Sequence, residues 1–281
     1  MTRKVILHIG APKCGSTYLQ RVLLNNRVQL ARSGYSYPHS GQGHPGNAAD
    51  IAEMTGEKFD ALMGSAHTLI LSHEDLFATA ARARPLARIA ENRGVLVQLV
   101  AFLRPFSGFI FGDYSQFMKQ YFSRFLALRE PYGGRNFEAF AADRSQMIDA
   151  AAHFRRWQNL FPQAPLVLAK HSEIQTVFGG LIGQEGLHWD VPKDQTNPSL
   201  RMQDCSEIAQ AMRDPGIAEG DIRKLFRAAF LAVDQPDSGK SPDRIAWVED
   251  LFESQNQALL EHFGFDNRLF LPAQKAVAGR V

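Results

Sequence analysis

The residues best suited to bind an anion lie near the start of the sequence, where residues 10–17 read Gly-Ala-Pro-Lys-Cys-Gly-Ser-Thr. An apolar run precedes them and a helical pattern follows, so they are expected to join a buried strand to a helix N-terminus. The two glycines let the backbone wrap around an anion, and the free N–H groups of the helix point toward it. Ser16 and Thr17 add hydroxyl donors, and Lys13 adds a cation. The segment predicts a phosphate-binding loop, with an ordinary glycine turn as the alternative.

The spacing of the glycines and of the final threonine matches the nucleotide-binding P-loop, G-x-x-x-x-G-K-[ST]. The motif's lysine is absent, because Ser16 stands in its place, and a lysine occurs three positions earlier, at Lys13. The side chain that reaches the β- and γ-phosphates of a nucleoside triphosphate is therefore missing. This favours a substrate in which one phosphate is joined to a sulfate.

Charged residues follow two further apolar runs. Arg104 follows residues 95–103, and a guanidinium binds phosphate through two parallel hydrogen bonds. His73 and Glu74 follow residues 68–71, and either could accept a proton from an attacking hydroxyl. Neighbouring side chains on an extended strand point to opposite sides, so only one is expected to face the loop. The alternative is that His73 packs internally and Glu74 caps the next helix.

Residues 12–17 resemble the 5′-phosphosulfate loop of the PAPS-dependent sulfotransferases, whose pattern is Pro-Lys-Ser/Thr-Gly-Thr/Ser-Thr. These enzymes transfer a sulfuryl group from 3′-phosphoadenosine 5′-phosphosulfate (PAPS). The resemblance implies that Lys13 contacts the bridging oxygen and the sulfuryl group. The residues that it implies for the 5′ end of the nucleotide are Pro12, Lys13, Cys14, Gly15, Ser16 and Thr17.

The resemblance also implies a site for the 3′-phosphate. In the family an Arg at a strand end and a Ser eight residues later, on the next helix, bind that phosphate. Arg104 occupies the first position, whereas Gly112 occupies the second and departs from the pattern. Ser115, one turn further along the helix, and Ser107, nearer its start, are candidate substitutes.

The implied reaction is direct in-line transfer to a hydroxyl or amine of a carbohydrate or small molecule. It leaves adenosine 3′,5′-bisphosphate (PAP) and requires no metal. Sulfotransferases of the bacterial and carbohydrate type place a Glu at this point, whereas cytosolic members place a His. Glu74 is favoured as the base over His73, because Ser72-x-Glu74 matches the bacterial pattern. The alternatives are a P-loop kinase that uses ATP and Mg²⁺, with Asp75 as a metal ligand, and a nucleotide-binding protein without catalysis.

Two histidines and one cysteine are further candidates for binding or reactivity. His44 lies in a Gly-, Pro- and His-rich loop, residues 38–47, that should border the site, so it is a candidate contact for the acceptor or an exposed loop residue. The spacing of His39 and His44 is unlike that of a zinc motif. Cys14 at a helix N-terminus is expected to have a lowered pKa, although a role as a loop filler is favoured.

The elements that position these residues alternate between strand and helix, which predicts a P-loop-type α/β fold with a parallel sheet flanked by helices. Residues 1–171 are predicted to form the nucleotide-binding core and residues 172–281 a mostly helical cap, within one domain. The predicted strands are 5–9, 68–71, 95–103 and 166–169. The predicted helices are 16–31, 76–92 with a break at Pro85, 106–126 and 147–160. Helical sequence follows, with breaks at Pro192, Pro215, Pro236 and Pro242.

Composition restricts the class of partner. The chain has 281 residues, of which 45% are hydrophobic, and 31 Lys and Arg against 29 Asp and Glu, so no nucleic-acid partner is expected. No apolar stretch approaches the roughly 20 residues of a membrane-spanning helix, and residues 5–9 are interpreted as a strand rather than part of a signal peptide. The two cysteines, Cys14 and Cys205, fit a reducing cytoplasm.

Overall fold

A computed structural model of the chain describes residues 2–183 and 186–269. Its centre is a sheet of five strands in the order β2-β3-β1-β4-β5, and every paired neighbour is parallel. The predicted α/β class is therefore confirmed. The strands are β1 Lys4–His8, β2 Tyr35–Ser36, β3 Thr68–Ser72, β4 Leu96–Leu103 and β5 Leu166–Lys170.

Helices flank the sheet and make up the C-terminal region, as predicted. In chain order they are α1 Ser16–Asn25, α2 Arg27–Arg32, α3 Gly56–Met63, α4 Arg84–Arg93, α5 Phe106–Leu128, α6 Phe137–Met147, α7 Ala150–Leu160, α8 Ile174–Ile182, α9 Met202–Arg213, α10 Glu219–Leu231, α11 Pro242–Leu251 and α12 Glu253–Phe263.

Some element boundaries differ from the prediction. The helix predicted over residues 16–31 is two helices, because Asn26 ends α1 and its side chain donates to the carbonyl of Val22 at 2.8 Å. The prolines at 85 and 242, predicted to interrupt helices, instead lie in the first turns of α4 and α11. A proline fits there because the first N–H groups of a helix have no intrahelical partner.

Alternate residues of each central strand pack into two hydrophobic clusters, one on each face of the sheet. On β1, Val5 and Leu7 belong to the larger cluster, whereas Ile6 belongs to the smaller one. This alternation follows from the two-residue period of side chains along a strand. Both faces are therefore covered, as is usual for a parallel sheet.

The sheet has a switch point between β1 and β4. Helix α1, which follows β1, packs Leu19 and Leu23 into the smaller cluster on one face. Helix α5, which follows β4, packs Phe106 and Ile110 into the larger cluster on the other. The chain therefore leaves these adjacent strands in opposite directions, and a crevice opens at their carboxyl ends, where ligands of such folds bind.

The C-terminal helices pack on the same larger cluster as the sheet. Phe252 stacks on Phe106 at the start of α5 with ring centroids 4.5 Å apart, and both rings are buried. Within residues 2–183 and 186–269, no helix is both long enough and apolar enough to cross a membrane.

Candidate functional site

The predicted phosphate loop lies at the crevice between β1 and β4. Its start is tied to β4, because the N–H of Ala11 donates to the carbonyl of Phe102 at 3.3 Å. The hydroxyl of Ser16 donates back to the carbonyl of Ala11 at 3.1 Å and closes the loop. Gly15 is the N-cap of α1 and offers no capping side chain, so the first N–H groups of this helix are available to an anion.

The loop forms one wall of a cleft of about 510 Å³, a volume typical of small-ligand sites. The cleft brings together seven of the residues predicted from the sequence: Pro12, Lys13, Gly15, Ser16, Thr17, Glu74 and Arg104. It is also lined by Asp75, the metal ligand of the kinase alternative. The other lining residues were not predicted as site residues: Tyr18, Asp113, Gln116, Gln120, Thr196, Asn197, Pro198 and Ser199.

Two cations face this cleft without a carboxylate partner among the described residues. The ammonium of Lys13 donates to the neutral Oε1 of Gln116 at 2.5 Å. The Nε of Arg104 is buried and has no hydrogen-bond partner in the part of the chain that is described. The acidic Asp113 also lines the cleft, but its carboxylate is paired with Arg144 at 2.7 Å. The cleft therefore has two cations available to an anionic ligand.

The ionisation of Lys13 is sensitive to its surroundings. Burial, and to a smaller extent the nearby charge of Lys119, lower the pKa of its ammonium to about 8. Its side chain is therefore largely charged at neutral pH and loses its proton in mildly alkaline solution. An anion bound beside Lys13 would favour the charged form and raise the pKa again.

The expectation of a lowered pKa for Cys14 is wrong. The thiol is buried, and burial raises its pKa to about 11 despite the neighbouring Arg104. Desolvation of a thiolate at this position outweighs the favourable potential of the helix N-terminus. Cys14 does not line the cleft, so its role in the loop is packing.

Glu74 reaches the cleft because the chain after β3 passes close to the phosphate loop. A Cβ atom on Gly10 would lie 2.9 Å from the carbonyl oxygen of Glu74, so only glycine allows this approach. The carboxylate of Glu74 accepts hydrogen bonds from Gln20 at 3.1 Å and from His44 at 2.8 Å. Burial alone would raise the pKa of Glu74, but the bond from Gln20 and the charge of His44 outweigh burial and lower it. Glu74 is therefore ionised near neutral pH.

His73, unlike Glu74, is not among the residues that line the cleft. Its Nδ1 accepts the N–H of Asp75 at 3.3 Å, and its ring lies 5.1 Å from that of His44. The two adjacent candidates for the base thus differ in position, as expected for neighbours at the end of a strand.

His44 lies beside Glu74, and its side chain is 45% exposed. The loop that carries it is fixed by Asn47, which accepts from the N–H of Ser72 at 2.8 Å and donates to the carbonyl of Ile70 at 2.9 Å. Asn47 was not predicted as a site residue, since its partners are backbone groups of β3.

The side chains of His44, His73 and Glu74 offer ligand atoms within 4.8 Å of one another, a set that could hold a metal ion. Each of them already has a hydrogen-bond partner within the protein. Their arrangement therefore also fits a network that holds the Glu74 carboxylate in place.

Gln20 links this network to the core. Its amide nitrogen donates to Glu74 and also to the hydroxyl of Ser72, each at 3.1 Å. The Ser72 hydroxyl lies 2.8 Å from Nδ1 of His8, whose pKa burial lowers to about 4. The sequence analysis did not identify Gln20 as a site residue. The feature that could have indicated it is its position four residues after Ser16, on the same face of α1.

The two residues predicted for the 3′-phosphate on α5 lie outside the cleft lining. Ser115 is fully buried, and its hydroxyl accepts the N–H of Leu200 at 2.7 Å. Gly112 lies against Lys13, because a Cβ atom at that position would be 3.3 Å from the Cβ of Lys13. Ser107 is buried, and its N–H donates to Glu249 at 2.8 Å.

No protein-family model and no curated protein matches this chain.

Proposed function

We propose that this protein is a PAPS-dependent sulfotransferase that transfers a sulfuryl group to a hydroxyl or amine of a carbohydrate or small molecule. The observation that carries the proposal is the pair of cleft cations, Lys13 and Arg104, which have no ion-pair partner among the described residues. Both side chains are part-buried, and a charge that is partly removed from water is costly unless it is paired, so an anionic ligand would supply the missing partner.

The position of Lys13 supports a phosphosulfate over a triphosphate. It lies in the loop before the N-terminus of α1, and its ammonium reaches across the cleft to Gln116 on α5. The first amides of α1 and the Thr17 hydroxyl are suited to the 5′-phosphate. Arg104, at the end of β4, is suited to a second phosphate on the opposite side of the crevice.

Glu74 is favoured as the base because it lines the cleft, whereas His73 does not. PAPS supplies a sulfuryl group joined to the 5′-phosphate through a bridging oxygen. Glu74 would accept the acceptor's proton while the acceptor oxygen or nitrogen forms its bond to sulfur. The bond from sulfur to the bridging oxygen breaks, and its electron pair remains on that oxygen, where Lys13 and the loop amides stabilise the charge. Glu74 is ionised near neutral pH, which is the protonation state that a proton acceptor requires.

A second candidate function is a kinase reaction with ATP and Mg²⁺. Asp75 lines the cleft and its side chain is 68% exposed. Carboxylates beside a phosphate site are the usual protein ligands of Mg²⁺. The same binding experiment separates the two candidates.

Isothermal titration calorimetry with PAP, and with ATP plus Mg²⁺, tests the proposal. We expect the wild-type protein to bind PAP without a metal, and Arg104→Ala to weaken that binding about tenfold or more, because a hydrogen-bonded charge pair is lost. Arg124→Ala is the matched control, since Arg124 is an exposed arginine of α5 outside the cleft. A preference for ATP with Mg²⁺ would replace the sulfotransferase by the kinase, and binding of neither nucleotide would reject both.

A further inference from the structure

Residues 196–200 are here called the 196–200 segment, and the first four of them line the cleft. The segment is attached to α5 by three side chains of that helix. Ser115 accepts the N–H of Leu200 at 2.7 Å, and the Lys119 ammonium donates to the carbonyl of Pro198 at 2.7 Å and to the side chain of Asn197. Asn197 in turn donates at 3.2 Å to Oε1 of Gln116, which also accepts from Lys13.

Ser199 is the residue of this segment that stands next to Lys13. A Cβ atom on Gly112 would lie 3.5 Å from the Ser199 hydroxyl and 3.3 Å from the Cβ of Lys13. Because Gly112 has no side chain, Ser199 and Lys13 can both pack against this position of α5. Ser199 lines the cleft and is half-buried, and its hydroxyl makes no hydrogen bond within the described residues.

Arg104 and Ser199 lie along the same face of α5. A Cβ atom on Gly108 would lie 3.3 Å from Cδ of Arg104, and Gly112 is one turn further along the helix. Positions four residues apart share a face and are about 6 Å apart along the axis. A phosphate on this side of the crevice would thus have a guanidinium and a free hydroxyl within the same cleft.

We infer that Ser199 is a phosphate-binding residue of this cleft, and that its hydroxyl donates to the second phosphate of a nucleoside 3′,5′-bisphosphate. It thereby supplies, from the 196–200 segment, the hydroxyl that the sulfotransferase resemblance implies at position 112. The identity of the nucleotide depends on the proposed function, whereas the place of the hydroxyl beside Gly112 and Lys13 does not.

The test is calorimetric titration of wild-type protein, Ser199→Ala and Ser199→Thr with PAP and with adenosine 5′-monophosphate, which lacks the 3′-phosphate. We expect Ser199→Ala to weaken PAP binding about tenfold, because a hydrogen bond to a charged group is lost. Its affinity for the monophosphate should remain within about twofold of wild type, and Ser199→Thr, which keeps a hydroxyl, should bind PAP nearly as wild type does. Ser206→Ala on α9 is the control for loss of a serine hydroxyl outside the cleft.

The outcomes separate the two proposals. Wild-type binding of PAP that is unchanged in Ser199→Ala overturns the role of Ser199 and leaves the proposed function standing. An equal loss of PAP and monophosphate binding also overturns it, because the hydroxyl would then not recognise the 3′-phosphate. A wild-type protein that does not bind PAP overturns both. Circular dichroism of each variant shows whether a loss of binding comes from unfolding.

Discussion

At the scale of single residues, Lys13 is the group whose charge should make ligand binding depend on pH. Burial lowers its pKa to about 8 in the free protein. The ammonium is charged below that pH and neutral above it, so affinity for an anion should fall as the pH rises through 8. We expect PAP affinity to decrease nearly tenfold per pH unit between about 8.5 and 9.5, since binding then requires uptake of one proton.

The measurement is calorimetric titration with PAP at several pH values, in buffers that differ in ionisation enthalpy and so report proton uptake. Lys13→Arg is the matched variant, because a guanidinium stays charged throughout this range. Its affinity should be nearly constant across the range in which that of the wild type falls. An equally steep fall in Lys13→Arg would assign the pH dependence to another group.

Site residues that closely follow a strand could be predicted from the sequence. Site residues contributed by distant parts of the chain could not. Lys13, Glu74 and Arg104 each come just after an apolar run, and the carboxyl ends of parallel strands meet at one edge of the sheet. Gln116 and Asn197 are 81 residues apart in sequence, and their contact depends on how α5 meets the 196–200 segment. No local pattern encodes such a contact.

At the scale of elements, the cleft is formed by the 196–200 segment and by three junctions: β1 to α1, β3 to the turn after it, and β4 to α5. Helix α1 contributes more than its N-terminus, because its Gln20 donates to the carboxylate of Glu74 after β3. That bond lowers the pKa of Glu74, whereas burial raises it. Replacement of Gln20 by Leu should therefore raise the pKa of Glu74, since burial remains and the hydrogen bond is lost.

Carbon-13 NMR of labelled glutamate carboxyl groups, titrated with acid, measures this pKa directly. Glu74→Gln identifies the resonance. Gln29→Leu is the control, because Gln29 on α2 donates to the backbone of Gly186 and not to Glu74. A Glu74 pKa that is unchanged or lower in Gln20→Leu would mean that the Gln20 bond does not stabilise the carboxylate.

The long, strongly apolar elements were predicted, and the short or weakly patterned ones were missed. Strands β1, β3, β4 and β5 each consist mainly of apolar residues, and only Gln98 interrupts the apolar run of β4, which is typical of buried parallel strands. Strand β2 has only two residues, Tyr35–Ser36, too few to show a period. Helix α6 has almost no one-sided apolar pattern, because its buried residues Phe137, Phe140 and Ala141 all lie in its first half.

At the scale of the whole molecule, the sheet and the C-terminal helices share one hydrophobic core. The larger cluster contains Val5 and Leu7 of β1 together with Phe252 and Leu259 from the C-terminal region. A core that spans both regions argues for a single cooperative unit, so we expect the sheet and the C-terminal helices to unfold together. The same cluster includes Leu103 at the end of β4 and Leu200 of the 196–200 segment, so one hydrophobic core supports both sides of the cleft.

A substitution at Phe252 tests whether the sheet and the C-terminal helices unfold together, because this residue is fully buried and stacks on Phe106 at the start of α5. Phe252→Ala should lower the free energy of unfolding by about 3–5 kcal/mol, the usual cost of removing a buried phenyl ring. Urea denaturation followed by both far-ultraviolet circular dichroism and tryptophan fluorescence measures this free energy, and the two signals should change together.

Phe230→Ala is the control. It removes a ring that is 43% exposed and should lower the free energy of unfolding by less than about 1 kcal/mol. Two separate transitions in the wild type would show that the C-terminal helices unfold independently of the sheet, and the shared core would then not be the main source of stability.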